Sequence, residues 1–191
     1  MKYKKLKKKF SDTASWAVWN EKKPNDTDII KAEKDTLRSD VVMLSLFPLR
    51  QKAAREWGNF HGDKPGQKMM DLFARSSYRG AYITSLYKRT NDGDTPFSAE
   101  EEFQTFVKEM GWLGADRKTL FLLFGNDTKD IFFNEFIHRF NNVAVCEHFN
   151  SFRLSHQEWI AHNETLLQQH QRKAAVSFKL KPFRRADNTY V

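Results

Sequence analysis

The chain has 191 residues and a formal net charge of +8, with 40% hydrophobic and 29% charged residues. This composition is typical of one folded globular domain and excludes a disordered chain. No apolar stretch reaches the roughly 20 residues that a membrane-spanning helix needs, and no signal peptide is recognisable. We therefore expect a cytoplasmic, monomeric protein with no membrane partner.

Apolar runs and helical periodicity alternate along the chain, starting from the run at 41–46, which is bounded by Asp40 and Pro48. The patterns predict strands at 41–46, 80–86, 120–124 and 143–146. They predict helices at 67–74, 98–110, 128–139 and 155–172, the second opened by a capping box of Ser98 and Glu101. Strict alternation of strand and helix predicts an α/β fold, a three-layer αβα sandwich with a mainly parallel four-stranded central sheet.

The positive charge is concentrated at the two ends of the chain. Residues 1–10 contain six lysines and no acid, and residues 172–191 contain six basic residues and one acid. We predict a basic N-terminal tail over 1–10, a single α/β domain over 11–171 and a basic C-terminal tail over 172–191. Such tails are typical either of solvated arms or of segments that bind phosphate.

Cysteine and histidine usage argues against a metal site. Cys146 is the single cysteine, which excludes an intrachain disulfide and a cysteine-rich zinc site. Its position at the end of an apolar run favours a small buried residue over a nucleophile. His156, His162 and His170 are too far apart on one predicted helix for a two-histidine metal pair. We predict neither a metal nor a cofactor.

Ligands of parallel α/β sheets bind at the carboxyl ends of the strands, so the polar and aromatic side chains there are the candidates for a site. A loop at 55–66, rich in glycine and proline, adds further aromatic and polar groups. The candidates are Ser45, Phe47, Asn59, Phe60, His61, Ser85, Lys88, His148 and Asn150.

Four segments occur in the order and spacing of a known family. They are residues 45–48 after the first strand, residues 82–85 with Lys88, residues 122–125 before a helix, and residues 148–150 after the last strand. Together they resemble the motifs of the uracil-DNA glycosylase superfamily, in a divergent branch, over roughly residues 14–165.

The resemblance implies a glycosylase-type fold and chemistry on a base that is flipped out of DNA, as in DNA repair. In that family a motif after the first strand positions the attacking water, and the histidine of the last motif faces the departing base. The resemblance implies His148 as a catalytic donor, and the aromatic and polar residues beside His61 favour it as a second donor. Phe60 is the preferred stacking platform and Phe47 the second, and Lys88 is placed to meet a phosphate. The remaining expected base contacts are Ser45, Asn59, Ser85 and Asn150.

The sequence departs from the family at three positions. Phe47 stands where the family holds water with Asp or Asn, Ser85 stands where several branches read uracil with Asn, and Phe149 replaces the proline after the histidine. Two functions therefore stay open. One is hydrolysis of the N-glycosidic bond of a modified or deaminated base, and the other is non-catalytic binding of a nucleic acid or a nucleotide.

The residue type at the floor of the expected pocket distinguishes these two functions. A carboxylate brought there from elsewhere in the chain, such as Glu147 or Asp63, would favour the enzyme, since departure of the base leaves positive charge on the sugar. A pocket filled by the Phe47 ring would favour binding without cleavage.

Overall fold

A computed structural model describes residues 1–50, 52–90 and 98–179 of the protein. The strands are β1 (Ser15–Trp16), β2 (Val41–Ser45), β3 (Tyr82–Ser85), β4 (Leu120–Phe124) and β5 (Val143–Cys146). The helices are α1 (Tyr3–Phe10), α2 (Asp28–Ala32), α3 (Lys64–Phe73), α4 (Ala99–Leu113), α5 (Asn126–Glu135) and α6 (His156–Lys179), with a 3-10 turn at Lys34–Thr36. The sequence between β3 and α4 contains Asn91, Asp92, Gly93, Asp94 and Pro96 and is typical of a loop, and these residues lie outside the described part.

The strands form one sheet in the order β1-β3-β2-β4-β5. Strands β2 to β5 run parallel, and β1 pairs antiparallel with β3, where Ser15 lies opposite Ile83. The predicted α/β class and mainly parallel sheet are confirmed. The predicted count of four strands is wrong, because β1 adds a fifth of two residues, too short to show strand periodicity in the sequence.

Side chains from β2 pack on both faces of the sheet. Val41 and Met43 join one hydrophobic core, in which α3 and α6 take part, and Val42 and Leu44 join a second core with α1, α4 and α5. Successive residues of a strand point to opposite faces, so a strand covered on both sides consists of a continuous apolar run. This arrangement gives the molecule three layers.

Helix α1 occupies the segment predicted as a basic tail. Leu6 and Phe10 are buried in the core beneath α4, while lysines occupy the exposed side of the helix. Residues 3–10 therefore form part of the packed body. At the other end, α6 extends to Lys179, beyond the predicted boundary at 172, and residues 180–191 lie outside the described part.

The strand order creates a crevice between β2 and β4. The chain leaves β2 through α3 on one face of the sheet and leaves β4 through α5 on the other. Adjacent strands whose connections depart to opposite faces leave a gap at their carboxyl ends, which is where parallel α/β sheets bind ligands. No helix within the described residues has the length and apolar composition to cross a membrane.

Candidate functional site

A cavity of about 530 Å³ lies at the carboxyl ends of β2, β4 and β5, at this crevice. We call it the strand-end cavity. Its volume lies within the range of small-molecule sites in proteins. It is lined by residues 46–49, Thr90, residues 124–128 and residues 148–150.

His148 follows β5 and lies half-buried in the cavity wall, close to Gly125. Its Nδ1 accepts a hydrogen bond from the Asn150 main-chain N–H at 3.1 Å. Because Nδ1 is an acceptor, the proton of the neutral ring is on Nε2, for which the described residues supply no partner. Burial lowers the pKa of His148, and the nearby Glu147 and Asp127 carboxylates partly oppose this effect. At neutral pH the ring thus presents an available N–H donor.

Gly125 sets the direction in which α5 leaves β4. Its φ of +92° belongs to the region that favours glycine, and a β-carbon there would stand 3.1 Å from the His148 ring. The Thr128 hydroxyl then donates to the Phe124 carbonyl at 2.8 Å, which fixes the first turn of the helix. The main-chain N–H groups of that turn lack helical acceptors and lie at the positive end of the helix dipole. The exposed Asp127 carboxylate also lies there, and it was not among the predicted candidates.

Phe47 lies on the opposite wall of the cavity, with its ring centroid 5.2 Å from that of Tyr87. It does not fill the cavity. The turn that carries it is closed by Ser45, whose buried hydroxyl donates to the Phe47 carbonyl at 2.9 Å. Phe47 is therefore placed as expected for a ligand contact, whereas the Ser45 hydroxyl is engaged by the main chain.

Three residues that were predicted to contact the ligand do not line the cavity: Phe60, Asn59 and Ser85. Each is held by contacts within the protein. Phe60 is 0% exposed and packs edge-to-face against Phe149, so neither face of its ring is open for stacking. The Asn59 amide accepts from the Leu49 N–H at 3.0 Å and donates to the carbonyls of Asp12 and Arg50, which ties the loop after β2 to the loop after α1. The Ser85 hydroxyl donates to the Tyr87 carbonyl at 2.6 Å.

Lys88 does not reach the cavity. Its ammonium group is buried against the carboxylate of Glu109, on α4, at 2.5 Å, and the two side chains are only 12% and 0% exposed. The Glu109 Oε1 also accepts hydrogen bonds from the Tyr82 and Thr84 hydroxyls at 2.8 and 2.9 Å. The predicted phosphate contact at Lys88 is therefore corrected to a buried ion pair, which sequence reasoning missed because the partner lies on a distant helix.

His61 lies apart from His148. It lines a separate cavity together with Asn25, Arg50, Ala54, Arg55 and Gly58, and its ring packs against Trp19. The structure thus brings together Phe47, His148 and Asn150, and it does not bring His61 to the same cavity.

Neither Glu147 nor Asp63, the two carboxylates considered for the floor of an enzyme's pocket, lines the strand-end cavity. Asp63 caps α3 by accepting from the Gly66 N–H at 2.7 Å and pairs with Arg50 at 2.8 Å. Glu147 precedes the lining segment, and its main-chain N–H donates to Asn163. Asp127 is instead the acidic side chain among the described residues of the wall. The sequence signal for Asp127 is its position directly after Gly125 and Asn126 at the end of a buried strand, where ligand-binding residues of parallel sheets lie.

Phe152 is a further residue that sequence reasoning missed. It belongs to the loop between β5 and α6, two residues after Asn150, and its side chain is fully exposed. Exposure of an aromatic ring depends on the course of the loop, and no periodicity in this short segment reveals it.

Among the described residues, no group of three or more His, Cys, Asp or Glu side chains is placed so that it could hold a metal ion. Cys146 is buried, and burial raises the pKa of its thiol to about 12, so it stays protonated at neutral pH. Comparison with known proteins found no matching family model, no matching curated protein and no matching solved structure.

Proposed function

We propose that the protein is a glycosylase-type DNA hydrolase, with the fold of the uracil-DNA glycosylase superfamily, which accepts a flipped-out base in the strand-end cavity. The observation that carries the proposal is the fully exposed Phe152, two residues along the chain from Asn150 in the wall of the cavity that contains His148. A protein that extracts a base from a duplex leaves a gap in the base stack, and an apolar side chain inserted between base steps stabilises the distorted duplex. A free nucleotide offers no such gap.

His148 supplies the donor for the departing base. Cleavage of the N-glycosidic bond leaves negative charge on the base, and a fixed N–H aimed at that charge stabilises the transition state more than the ground state. The Nδ1 contact with Asn150 orients the ring and keeps the Nε2 proton available. The neutral state favoured by burial preserves this donor and acceptor pattern at physiological pH.

Asp127 supplies negative charge on the sugar side of the bond. Loss of the base leaves positive charge on the sugar, and a carboxylate both stabilises that charge and orients a water for attack. This assignment replaces the water-holding residue of the family motif, where this chain has Phe47. Phe47 is the aromatic surface of the cavity on which the base stacks.

The test uses duplex oligonucleotides that each carry one modified or deaminated base, scored for abasic sites. We expect the wild type to cleave at least one of them. His148→Ala and Asp127→Asn should lower cleavage by about a hundredfold or more, in the range measured for single acid, base and charge-stabilising groups. Asp130→Asn removes an exposed carboxylate one turn further along α5 and should leave cleavage unchanged.

Phe152→Ala tests the role of the duplex. It should weaken cleavage of a base in double-stranded DNA by about tenfold or more and affect a single-stranded substrate less, because a single strand has no stack to fill. Phe133→Ala, which removes a ring that is also exposed but lies on α5, is the matched control. Equal effects of Phe152→Ala on both substrates would contradict the insertion role.

A second function, binding without cleavage, is favoured by the segment that follows β2. Residues 46–49 are all apolar and bring no polar side chain to the cavity. In this alternative the cavity binds a base without cleaving it. Saturable binding of the oligonucleotides that depends on His148, without abasic sites on any of them, would support the binding protein and overturn the hydrolase.

A further inference from the structure

Two side chains of α6 hold the main chain at the point where β5 ends. The Trp159 indole N–H donates to the main-chain carbonyls of Glu147 and His148, at 3.1 and 3.0 Å. The Asn163 side-chain oxygen accepts from the Glu147 main-chain N–H at 2.8 Å. We call Trp159 and Asn163 the α6 clamp. It contacts the main chain on both sides of the His148 α-carbon.

The α6 clamp is buried, and one of its members orients the other. Both side chains are 0% exposed. The Asn163 amide N–H donates to the Trp159 carbonyl, one turn earlier in the helix, at 3.0 Å, and this contact turns the Asn163 oxygen toward Glu147. Breaking such buried hydrogen bonds leaves polar groups without partners, which is costly. The main chain is therefore held in one arrangement as long as the clamp is intact.

Helix α6 gives the clamp a firm support, because it is fastened to neighbouring segments. The Nε2 atom of His156, at the start of α6, lies 2.8 Å from the Asp71 carboxylate of α3. Further along the helix, the Gln171 amide donates to the Tyr78 hydroxyl at 2.9 Å. Side chains that project from a fixed helix define a position more precisely than side chains on a loop.

The residue after His148 is anchored in the core as well. Phe149 is 2% exposed, and its ring centroid lies 5.8 Å from that of Phe60 and 5.8 Å from that of Phe124. With the chain held before and after it, His148 turns only about its own side-chain bonds. The hydrogen bond from the Asn150 N–H to Nδ1 then fixes the ring.

We propose that Trp159 and Asn163 are positioning residues for His148 in the strand-end cavity. They hold the main chain so that Nδ1 of His148 stays within reach of the Asn150 N–H and the ring proton stays on Nε2. A donor that stabilises developing charge has to be held within about 0.5 Å of its productive position. The use of this proton on a departing base rests on the proposed function, whereas its location does not.

Trp159→Phe tests the clamp, because it keeps an aromatic ring and removes the indole N–H. The ring nitrogens of His148 are followed by 15N NMR in the full chain, with His148→Ala for assignment. The wild type should show one tautomer at pH 7, with the proton on Nε2. In Trp159→Phe the two nitrogen shifts should move toward each other, because the Asn150 N–H no longer fixes Nδ1 and both tautomers become populated.

A pH titration of the same signals gives a second readout. Burial lowers the pKa of His148, against the opposing effect of the Glu147 and Asp127 carboxylates. Opening of the turn exposes the ring, so the pKa in Trp159→Phe should rise toward 6.5. Asn163→Ala removes the acceptor for the Glu147 N–H and should move both readouts in the same direction. It keeps the test decisive where Trp159→Phe does not fold.

Trp57→Phe is the matched control. It also removes one indole N–H hydrogen bond, to the Tyr3 hydroxyl at 3.2 Å, but in the core on the opposite face of the sheet. It should leave the His148 signals unchanged. Wild-type nitrogen shifts and pKa of His148 in folded clamp variants would overturn the proposal and leave the clamp a structural contact only.

Cleavage kinetics separate the clamp from the proposed hydrolase. On an oligonucleotide that the wild type cleaves, Trp159→Phe should lower kcat about tenfold or more and leave KM within about twofold, because the donor acts in the transition state. An unchanged kcat with a raised KM would contradict positioning of the donor. Failure of the wild type to cleave any oligonucleotide would overturn the hydrolase alone, since the His148 nitrogens still report on the clamp.

Discussion

The two histidines that were expected to act together illustrate how burial decides what a single residue does. His148 keeps one nitrogen paired with the chain and the other open to a cavity, so it is neutral, oriented and accessible. His61 has its whole ring enclosed, with Trp19 packed at a centroid distance of 5.6 Å. Full enclosure makes protonation costly, which gives the folded state a measurable preference for neutral His61.

Replacing His61 by phenylalanine should reduce the loss of stability in acid. Burial lowers the pKa of His61 from 6.5 to about 4. Between these values the unfolded chain binds a proton that the folded chain does not, so this residue lowers stability as the pH falls through that window. From pH 7 to pH 4.5 the wild type should lose about 2 kcal/mol more than His61→Phe in urea unfolding.

His162→Gln is the control for this pH profile, because it removes an exposed histidine from α6. It should follow the wild-type curve. Parallel curves for wild type and His61→Phe between pH 7 and pH 4.5 would contradict the low pKa in the folded state.

Sequence patterns could place these residues near strand ends but could not tell which side chains face the cavity. Phe47 and His148 follow strands whose direction is set by apolar runs, so their positions were predictable. Phe60 and Asn59 belong to an irregular loop in which Phe60 has a φ of +63°, a conformation rare for a bulky residue. No propensity predicts that backbone, and it turns the Phe60 ring into the core.

At the scale of elements, the parallel strands were predictable because burial on both faces gives uninterrupted apolar runs. Strands β4 and β5 end at the residues that the sequence predicted, Phe124 and Cys146. Helix α4 begins after Ser98, whose hydroxyl accepts from the Glu101 N–H as the capping box predicts. Strand β1 was missed because its two residues are specified by pairing with β3, a contact between distant segments.

The packing of α4 against the end of β3 includes a buried ion pair that no local sequence pattern shows. Lys88 follows β3 and pairs with Glu109 on α4, and the Lys88 ammonium group lies 5.5 Å from the Phe10 ring centroid. Burial lowers the pKa of Lys88, and the Glu109 carboxylate opposes this effect. A charge that loses its partner in such surroundings is strongly destabilising, whereas removing both charges together is often tolerated.

Lys88→Met should therefore destabilise the protein by about 3 kcal/mol, since it leaves the Glu109 charge unpaired. Glu109→Gln keeps an oxygen acceptor for the Tyr82 and Thr84 hydroxyls but leaves the Lys88 ammonium without its counter-charge. In the double variant, Met packs against Phe10 and the Gln oxygen still accepts both hydroxyls. Its loss of stability should be smaller than the sum of the single losses by more than about 1 kcal/mol.

Urea unfolding of the two single variants and the double variant measures this coupling. Lys129→Met with Asp130→Asn, which removes an exposed pair on α5, is the matched control and should show additive effects. Additivity at Lys88 and Glu109 would show that the buried pair does not act as a unit.

At the scale of the whole molecule, strand order has the largest consequence for function, and the sequence does not specify it. Alternation of strand and helix predicted a parallel sheet, but placing β2 between β3 and β4 requires contacts between segments that are far apart in the chain. That order opens the crevice between β2 and β4 and puts His148 opposite Phe47. The location of the site was thus predictable as an edge of the sheet, and its composition was not.

The basic N-terminal segment cannot be treated as a separable tail, because α1 packs into the hydrophobic core. Phe10 lies 5.9 Å from the Trp112 ring and Leu6 is fully buried, so deletion of residues 1–10 uncovers the core beneath α4. Loss of two such side chains costs several kcal/mol. A truncation would therefore confound unfolding with the loss of lysines, and the contribution of these charges to DNA binding has to be measured by substitution.

Replacing Lys4, Lys8 and Lys9 by glutamine should preserve the fold, because all three side chains are exposed and glutamine is a good helix former. If α1 binds the DNA backbone, the slope of log affinity against log salt becomes shallower by roughly 0.9 for each phosphate that is no longer neutralised. Glutamine at Lys22, Lys23 and Lys31, which are exposed elsewhere, controls for net charge. We expect a shallower slope from the α1 set alone, and equal slopes for both sets would contradict DNA binding by α1.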